Sequence, residues 1–305
     1  MQESIVYFTK NISSENILEI YKKLNIKLSG KVAIKVHSGE KGNQNFLKPV
    51  FYKNIVDYLN GTIVECNTAY DGERNTTDKH IKLLEEHGWK DLYNVDLLDY
   101  SEELELPVLK PKHIKVNYIG INIEKYDSLL VISHLKGHPM GGYGGALKNM
   151  SIGLASSHGK ANIHGAGDPQ KIWTADHDSF LESMAEASKT IMDYKRDKIA
   201  FINIMCNMSV DCDFCDKAED PCMKDIGILA SLDPVALDQA CIDLVYNSND
   251  EGKNHLIGRI ESRNGTHTIN TAEKLGVGNK KYKLIEFKLN GEVKYEWKDN
   301  IYIWS

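Results

Sequence analysis

Residues 128–164 read SLLVISHLKGHPMGGYGGALKNMSIGLASSHGKANIH. The opening run, Ser128 to Ile132, is short, apolar and uninterrupted, the pattern of a parallel strand buried on both faces. It delivers the chain directly into Ser133 and His134, at a strand's carboxyl end. An open α/β sheet collects its ligands there. The polar remainder holds four of the eleven histidines, a glycine-rich turn, and Lys148 and Lys160 beyond that turn. Imidazole nitrogens serve metals and protons, and glycines let backbone approach a ligand closely.

Within this stretch Gly137 and Pro139 break any helix that His134 and His138 would share, so both are placed on a loop. Gly141-Gly142-Tyr143-Gly144-Gly145 followed by Ala146-Leu147-Lys148-Asn149 reads as a glycine loop opening a helix, whose free N–H groups attract an anion. It is not a phosphate-binding Walker loop, because the glycine-to-lysine spacing differs and no Ser or Thr follows Lys148. The expectation is a pocket for a small anionic ligand or cofactor. His138, Lys148 and His164 are its catalytic candidates, and His134, Gly144, Gly145 and Lys160 its binding candidates. The bland alternative is a surface turn with incidental histidines.

Working outward, Ser4 to Phe8 reads as a strand, Ser13 and Ser14 cap a helix through Ile17, Ile20, Tyr21 and Leu24, and Lys31 to Val36 is a strand again. Val50, Ile55, Val56 and Leu59 mark a second helix and Thr62 to Cys66 a further strand. Strand, helix, strand with short connections gives an α/β fold with a mostly parallel sheet and crossover helices. The polar loop after Cys66 places Asn67, Asp71 and Arg74 near a ligand, although Arg74 reads equally as an ion pair. Its helix runs from Thr76 or Thr77 to Gly88. His80 and His87, two turns apart on it, are read as surface or packed residues.

Further on, a helix over 178–194, strands over 198–205 and 226–230, and a helix opened by Asp233-Pro234 continue the pattern. Cys241 falls on that last helix's buried face. Two more helices, a strand over 282–287 and a hairpin at Asn290-Gly291 close the chain. No repeat or proline-rich linker divides residues 1–305, so one domain is expected, with 1–195 and 196–305 as possible sub-lobes.

With 42% hydrophobic and 26% charged residues the composition is that of an ordinary globular protein. A net charge of −6 and a pI near 6.0 argue against nucleic acid, whose binding needs a basic face. No apolar run approaches a membrane span, and Glu3 with no signal-like stretch behind it points to a cytoplasmic protein. Six cysteines are present, of which Cys206, Cys212, Cys215 and Cys222 cluster after a predicted strand. In a reducing compartment such a set suggests metal before disulfides. Four thiolates suit a [4Fe-4S] cluster or one zinc, and free reduced thiols are the third alternative.

Five segments carry a resemblance to a known family: VAIKVHSGEKGN (32–43), NTAYDGERNTTDKH (67–80), GGYGGALKNMSIGLASSHGKANIH (141–164), residues 210–245, and IESRNGTHT (260–268). Together they resemble the domain-of-unknown-function 362 family, whose members are often labelled iron–sulfur centre proteins. Many relatives carry a ferredoxin-like insert after the position of His164. Here GAGDPQKIWTADHD holds no cysteine, so no two-cluster electron wire is implied. Phe214 interrupts the cysteine-aspartate-cysteine of relatives, with Cys215 as the substitute ligand. A more distant likeness is to the nickel-pincer lactate racemase. It implies Lys148 as the tether of a pyridinium-derived cofactor, His138 as a proton-transfer residue and His164 as a nickel ligand.

The leading expectation is therefore a cytoplasmic iron–sulfur protein with a redox or electron-transfer role, a redox partner protein and a small-ligand pocket. A cofactor-dependent isomerase or racemase centred on Lys148 and the histidines is the alternative, and a zinc-stabilised binding module the third.

Overall fold

A computed structural model describes residues 3–211, 219–288 and 291–295 of the chain. Its strands are β1 (Ser4–Thr9), β2 (Val32–Lys35), β3 (Thr62–Glu65), β4 (Val95–Leu97), β5 (Glu103–Pro107), β6 (Val116–Gly120), β7 (Ser128–His134), β8 (Lys136–His138), β9 (Gly142–Gly144), β10 (Ile199–Met205), β11 (Gly227–Ser231), β12 (Tyr282–Lys288) and β13 (Gly291–Tyr295). Nine form one sheet in the order β13-β12-β1-β11-β10-β7-β2-β3-β4, with β5-β6 and β8-β9 as separate two-stranded pairs. β10, β7, β2, β3 and β4 run parallel in succession. β11 returns antiparallel between β1 and β10. The α/β sheet with crossover helices expected from the sequence is thus present, and strands from both halves of the chain share it.

Local chemistry sets the helix starts. Ser13 accepts the N–H of Asn16 to open the helix Ser14–Lys23, and Asp233 accepts those of Val235 and Ala236 to open Pro234–Tyr246. Helix Thr77–Glu86 stops before Gly88, whose φ of 79° is the left-handed conformation that glycine adopts at least cost. The predicted helix around 50–59 is a 3₁₀ turn, Pro49–Tyr52, followed by a helix, Lys53–Leu59.

Alternation along β10 divides the interior. Ile199, Phe201 and Met205 pack in a core layer with Leu229, Val235 and Leu237, while Ile202, Ile204 and Cys206 pack in a second layer with Ile34, Ile63 and Ile132. Every residue of β7 is buried, as its uninterrupted apolar run predicts. Cys241 is buried in the first layer, as expected. The glycine-rich region differs from the loop anticipated there: Lys136–His138 pairs with Gly142–Gly144 as a hairpin, His138 opposite Gly142. Gly142 makes that turn possible with a φ of 77°, and a β-carbon on it would lie 2.8 Å from Gly265 Cα. The predicted Asn290-Gly291 turn falls partly outside the described residues, but its two arms, β12 and β13, pair antiparallel.

Candidate active site

The carboxyl ends of three adjacent parallel strands, β7, β2 and β3, open on one cavity of about 230 Å³. β2 contributes Lys35 and His37, β3 contributes Glu65 and Cys66, and β7 contributes Ser133 and His134. The hairpin adds Lys136 and His138, and the helices Ala146–Ser151 and Ser157–His164 add Lys148, Lys160 and His164. His134, His138, Gly144, Gly145, Lys148, Lys160, His164 and Arg74, separate in the sequence, therefore border one space. His158 does not join them; it turns outward to Glu103, 3.0 Å away.

The floor of the cavity is an ion-pair network. Lys35 Nζ donates to Glu65 Oε2 at 2.6 Å and to Asn149 Oδ1 at 3.1 Å. Glu65 Oε1 accepts the N–H of Ser38 at 2.7 Å and lies 3.6 Å from an Arg74 guanidinium nitrogen. Burial alone would raise the Glu65 pKa, but the Lys35 and Arg74 charges outweigh it and hold the carboxyl well below the usual range. Arg74 Nε donates to Glu40 at 2.6 Å, and Tyr70 donates to the same carboxylate, so much of the guanidinium is committed to the protein. Arg74 borders the cavity, and its ion pair with Glu40 is buried rather than on the surface as the sequence suggested. Lys35 and Glu65 end β2 and β3, one residue short of the predicted strand ends Val36 and Cys66; a lysine and a glutamate next to the end of otherwise apolar strands are the signal that could have marked them.

The histidines differ in their hydrogen bonds, and these fix what each presents. His138 Nδ1 accepts the N–H groups of Gly141 at 2.8 Å and Met140 at 3.2 Å, so the neutral ring carries its proton on Nε2. His164 Nδ1 lies 2.8 Å from the Lys160 carbonyl, which only accepts, so its proton is on Nδ1 and Nε2 keeps a lone pair. Burial, then the Lys148 and His164 charges, depresses the His138 pKa strongly, and burial lowers that of His164 to about 4. Both rings are neutral at neutral pH. His134 is committed at both nitrogens, Nε2 to the Cys206 carbonyl and Nδ1 to Lys136 Nζ at 2.8 Å.

The helix opened by the glycines is capped from within. Asp238, on the helix Pro234–Tyr246, accepts the N–H of Ala146 at 2.8 Å and of Leu147 at 3.0 Å, and also bonds Asn203 and Tyr143. Those two N–H groups, assigned by sequence to a ligand anion, are thus satisfied by the protein's own carboxylate. Gly144 borders the cavity with only Lys148 Cδ near its missing β-carbon, at 3.7 Å. Lys160 Nζ donates to the Ala155 carbonyl, and burial lowers its pKa.

Of the cysteine set, Cys212 and Cys215 lie outside the described residues. Cys206 is buried in the second core layer, whereas Cys222 packs against the first and donates its thiol to the Met208 carbonyl at 3.2 Å. A four-thiolate centre would have to draw ligands from both layers, and among the described residues no group of three His, Cys, Asp or Glu side chains is arranged to hold a metal ion. The start of the segment packs against the hairpin that borders the cavity: Gly137 N–H donates to Ser209 O at 2.9 Å, and a β-carbon on Gly137 would lie 1.9 Å from Val210 O. Among the described residues no helix is long and apolar enough to cross a membrane.

Fold and site together define an α/β protein with a cation-rich cavity at the carboxyl ends of its parallel strands. The chain belongs to the family described as domain of unknown function (DUF362), which it matches over residues 32–243. Among solved structures it is similar to the lactate racemase apoprotein from Thermoanaerobacterium thermosaccharolyticum, at 15% identity and a TM-score of 0.40, covering 66% of this chain and 50% of that one. It is also similar to a Thermotoga maritima protein, at 13% identity and a TM-score of 0.45, covering 90% of this chain and 61% of that one. The chain thus spans half of the first structure's length and 61% of the second's. No curated protein matches it.

Proposed function

We propose that the cavity binds a small anionic molecule and moves a proton on it, as an isomerase or racemase does. The observation that carries this reading is one cavity bordered by Lys136, Lys148 and Lys160 together with two neutral histidines in opposite tautomers. The lysines attract the anion. His164 offers the accepting nitrogen, and His138 offers an N–H to the atom where negative charge develops. Negative charge entering among these groups favours the protonated rings and so raises the basicity of His164.

Lys148 and His164 have the donor types needed by the tethered nickel cofactor that the sequence resemblance implies. In that case His164 would give its Nε2 to the metal in place of the proton, and His138 would be the proton-transfer residue. Lys148 brings an amine to the cavity, and His164 donates Nδ1–H to a backbone carbonyl, the arrangement in which histidine presents Nε2 to a metal. When bound, such a cofactor would supply an electron-accepting centre.

Thermal melting with carboxylates and phosphates at matched ionic strength tests the binding. A rise in melting temperature for the wild type that is lost in Lys148→Met supports it, and no rise in the wild type sinks it. Proton NMR in deuterium oxide tests the chemistry: loss of a Cα–H signal from a bound 2-hydroxy or 2-amino acid, abolished in His164→Asn, is expected. Binding without exchange restricts the site to a binding role.

A second reading concerns the cysteine segment. It is favoured by the contact of Ser209 and Val210 with Gly137, which lies between the cavity-lining residues Lys136 and His138. In this reading Cys212 and Cys215 lead the binding of an iron–sulfur cluster, with a redox role, or of zinc in a binding module. Iron and sulfide in protein purified without air, lost in Cys212→Ser/Cys215→Ser, support the cluster. Stoichiometric zinc supports the module, and absence of metal removes both.

A further inference from the structure

Trp173 is 63% exposed, yet it borders the cavity beside Ile172, Pro139 and Met140. An exposed tryptophan at the mouth of a site whose interior is cationic divides that site into a charged end and an apolar end. The segment that holds it is well formed. Helix Ser157–His164 ends in a turn in which Ala166 N–H donates to Ile163 O at 3.1 Å and Gly167 N–H to Asn162 O at 2.9 Å. Gly167 has a φ of 95°, and a β-carbon there would lie 2.5 Å from His113 O. Asp168 then caps the 3₁₀ turn Pro169–Lys171, and Thr174 and Ala175 donate back to Lys171 O at 3.0 and 2.9 Å. The indole is therefore presented by a fixed turn.

We propose that Trp173 is a specificity residue, selecting an anion that carries a planar or apolar group on the side away from its charge. This rests on the anion-binding reading above. The carboxylate or phosphate end lies toward Lys136, Lys148 and Lys160, and the apolar end lies under the indole and against Ile172 and Met140. Charge complementarity supports a small ligand as the occupant: the wall behind Trp173 is cationic in a chain whose net charge is −6. A cavity of about 230 Å³ is also smaller than the roughly 300–1,000 Å³ typical of sites for drug-sized ligands.

Calorimetric titration of the full chain with acetate and with phenylacetate tests this. Phenylacetate is expected to bind about tenfold more tightly, the scale of one aromatic contact. Trp173→Ala should remove that preference while leaving acetate affinity unchanged, and Trp173→Phe should retain most of it. Lys148→Met should weaken both ligands alike. Equal affinities in the wild type, or a preference that survives Trp173→Ala, overturn the inference alone. Failure of both anions to bind overturns the anion-binding reading and the inference with it.

Discussion

The carboxylate of Asp238 occupies the space that a β-carbon on Gly145 would need: an added carbon would lie 2.5 Å from Oδ1. The glycine at this position is what lets a residue 93 positions later reach under the turn and cap the helix that carries Lys148. Gly145→Ala is therefore expected to force a shift at a site with no spare volume and to cost about 1–3 kcal/mol. Urea unfolding measures the loss. A cost near zero would mean that the carboxylate moves aside freely.

Lys35 and Glu65 are both buried, and each is satisfied chiefly by the other and by Arg74, Asn149 and Ser38. Glu65→Gln leaves a buried lysine without its anion and should destabilise by about 3–5 kcal/mol. Lys35→Met/Glu65→Leu should cost markedly less than the sum of the single changes, because it removes both charges together. A double-mutant cycle in urea reads this coupling, and additive costs would contradict it.

Acid should unfold the protein early. Burial depresses His138 and His164, the latter to about 4, and burial with Arg74 lowers His80 to about 3, against an ordinary value of 6.5. Below pH 6.5 the unfolded chain takes up protons at these rings that the folded protein does not, so stability falls as pH falls. Asp238 acts oppositely. Burial raises it to about 6 from 3.8, so its contribution is present at low pH and is lost as pH rises through that value. His87, which burial also lowers, and Asp243, which burial also raises, make four histidines against two carboxyls. About two protons remain, and stability should drop by roughly 3 kcal/mol per pH unit between about pH 6 and 4. Glu65, depressed in the fold, adds to the loss below its ordinary value of 4.5. Denaturant titrations in pH steps check the slope, and stability that holds or grows toward pH 5 would contradict it.

The tautomers are directly observable. Nitrogen NMR of histidine-labelled protein near neutral pH should show the proton on Nε2 for His138 and on Nδ1 for His164. Identical tautomers for the two rings would remove the donor–acceptor pair on which the proposed chemistry stands.

Several parts of this arrangement were legible along the chain. The apolar run 128–132 is a buried strand, and the residues after it do sit at the carboxyl end of a parallel sheet, because an uninterrupted apolar segment has to be covered on both faces. The helix beginning at Ala146 follows its glycines as read. Other parts depended on partners far away in sequence. His134 looks like His138 in the sequence, but the Cys206 carbonyl and Lys136 occupy both of its nitrogens. The N–H groups after Gly145 look open to a ligand until Asp238 is brought beneath them.

The sequence by itself determined that an α/β sheet delivers histidines, glycines and Lys148 to one strand end, since periodicity and turn chemistry are local properties. Only the tertiary structure decided that Lys35, Glu65 and Trp173 share the pocket and that the anion at the helix start is Asp238. It likewise decided that His138 presents a proton where His164 presents a lone pair. The physical reason is that hydrogen-bond partnership, burial and net charge at a point are set by residues from separate strands and helices, and only packing brings these within bonding distance.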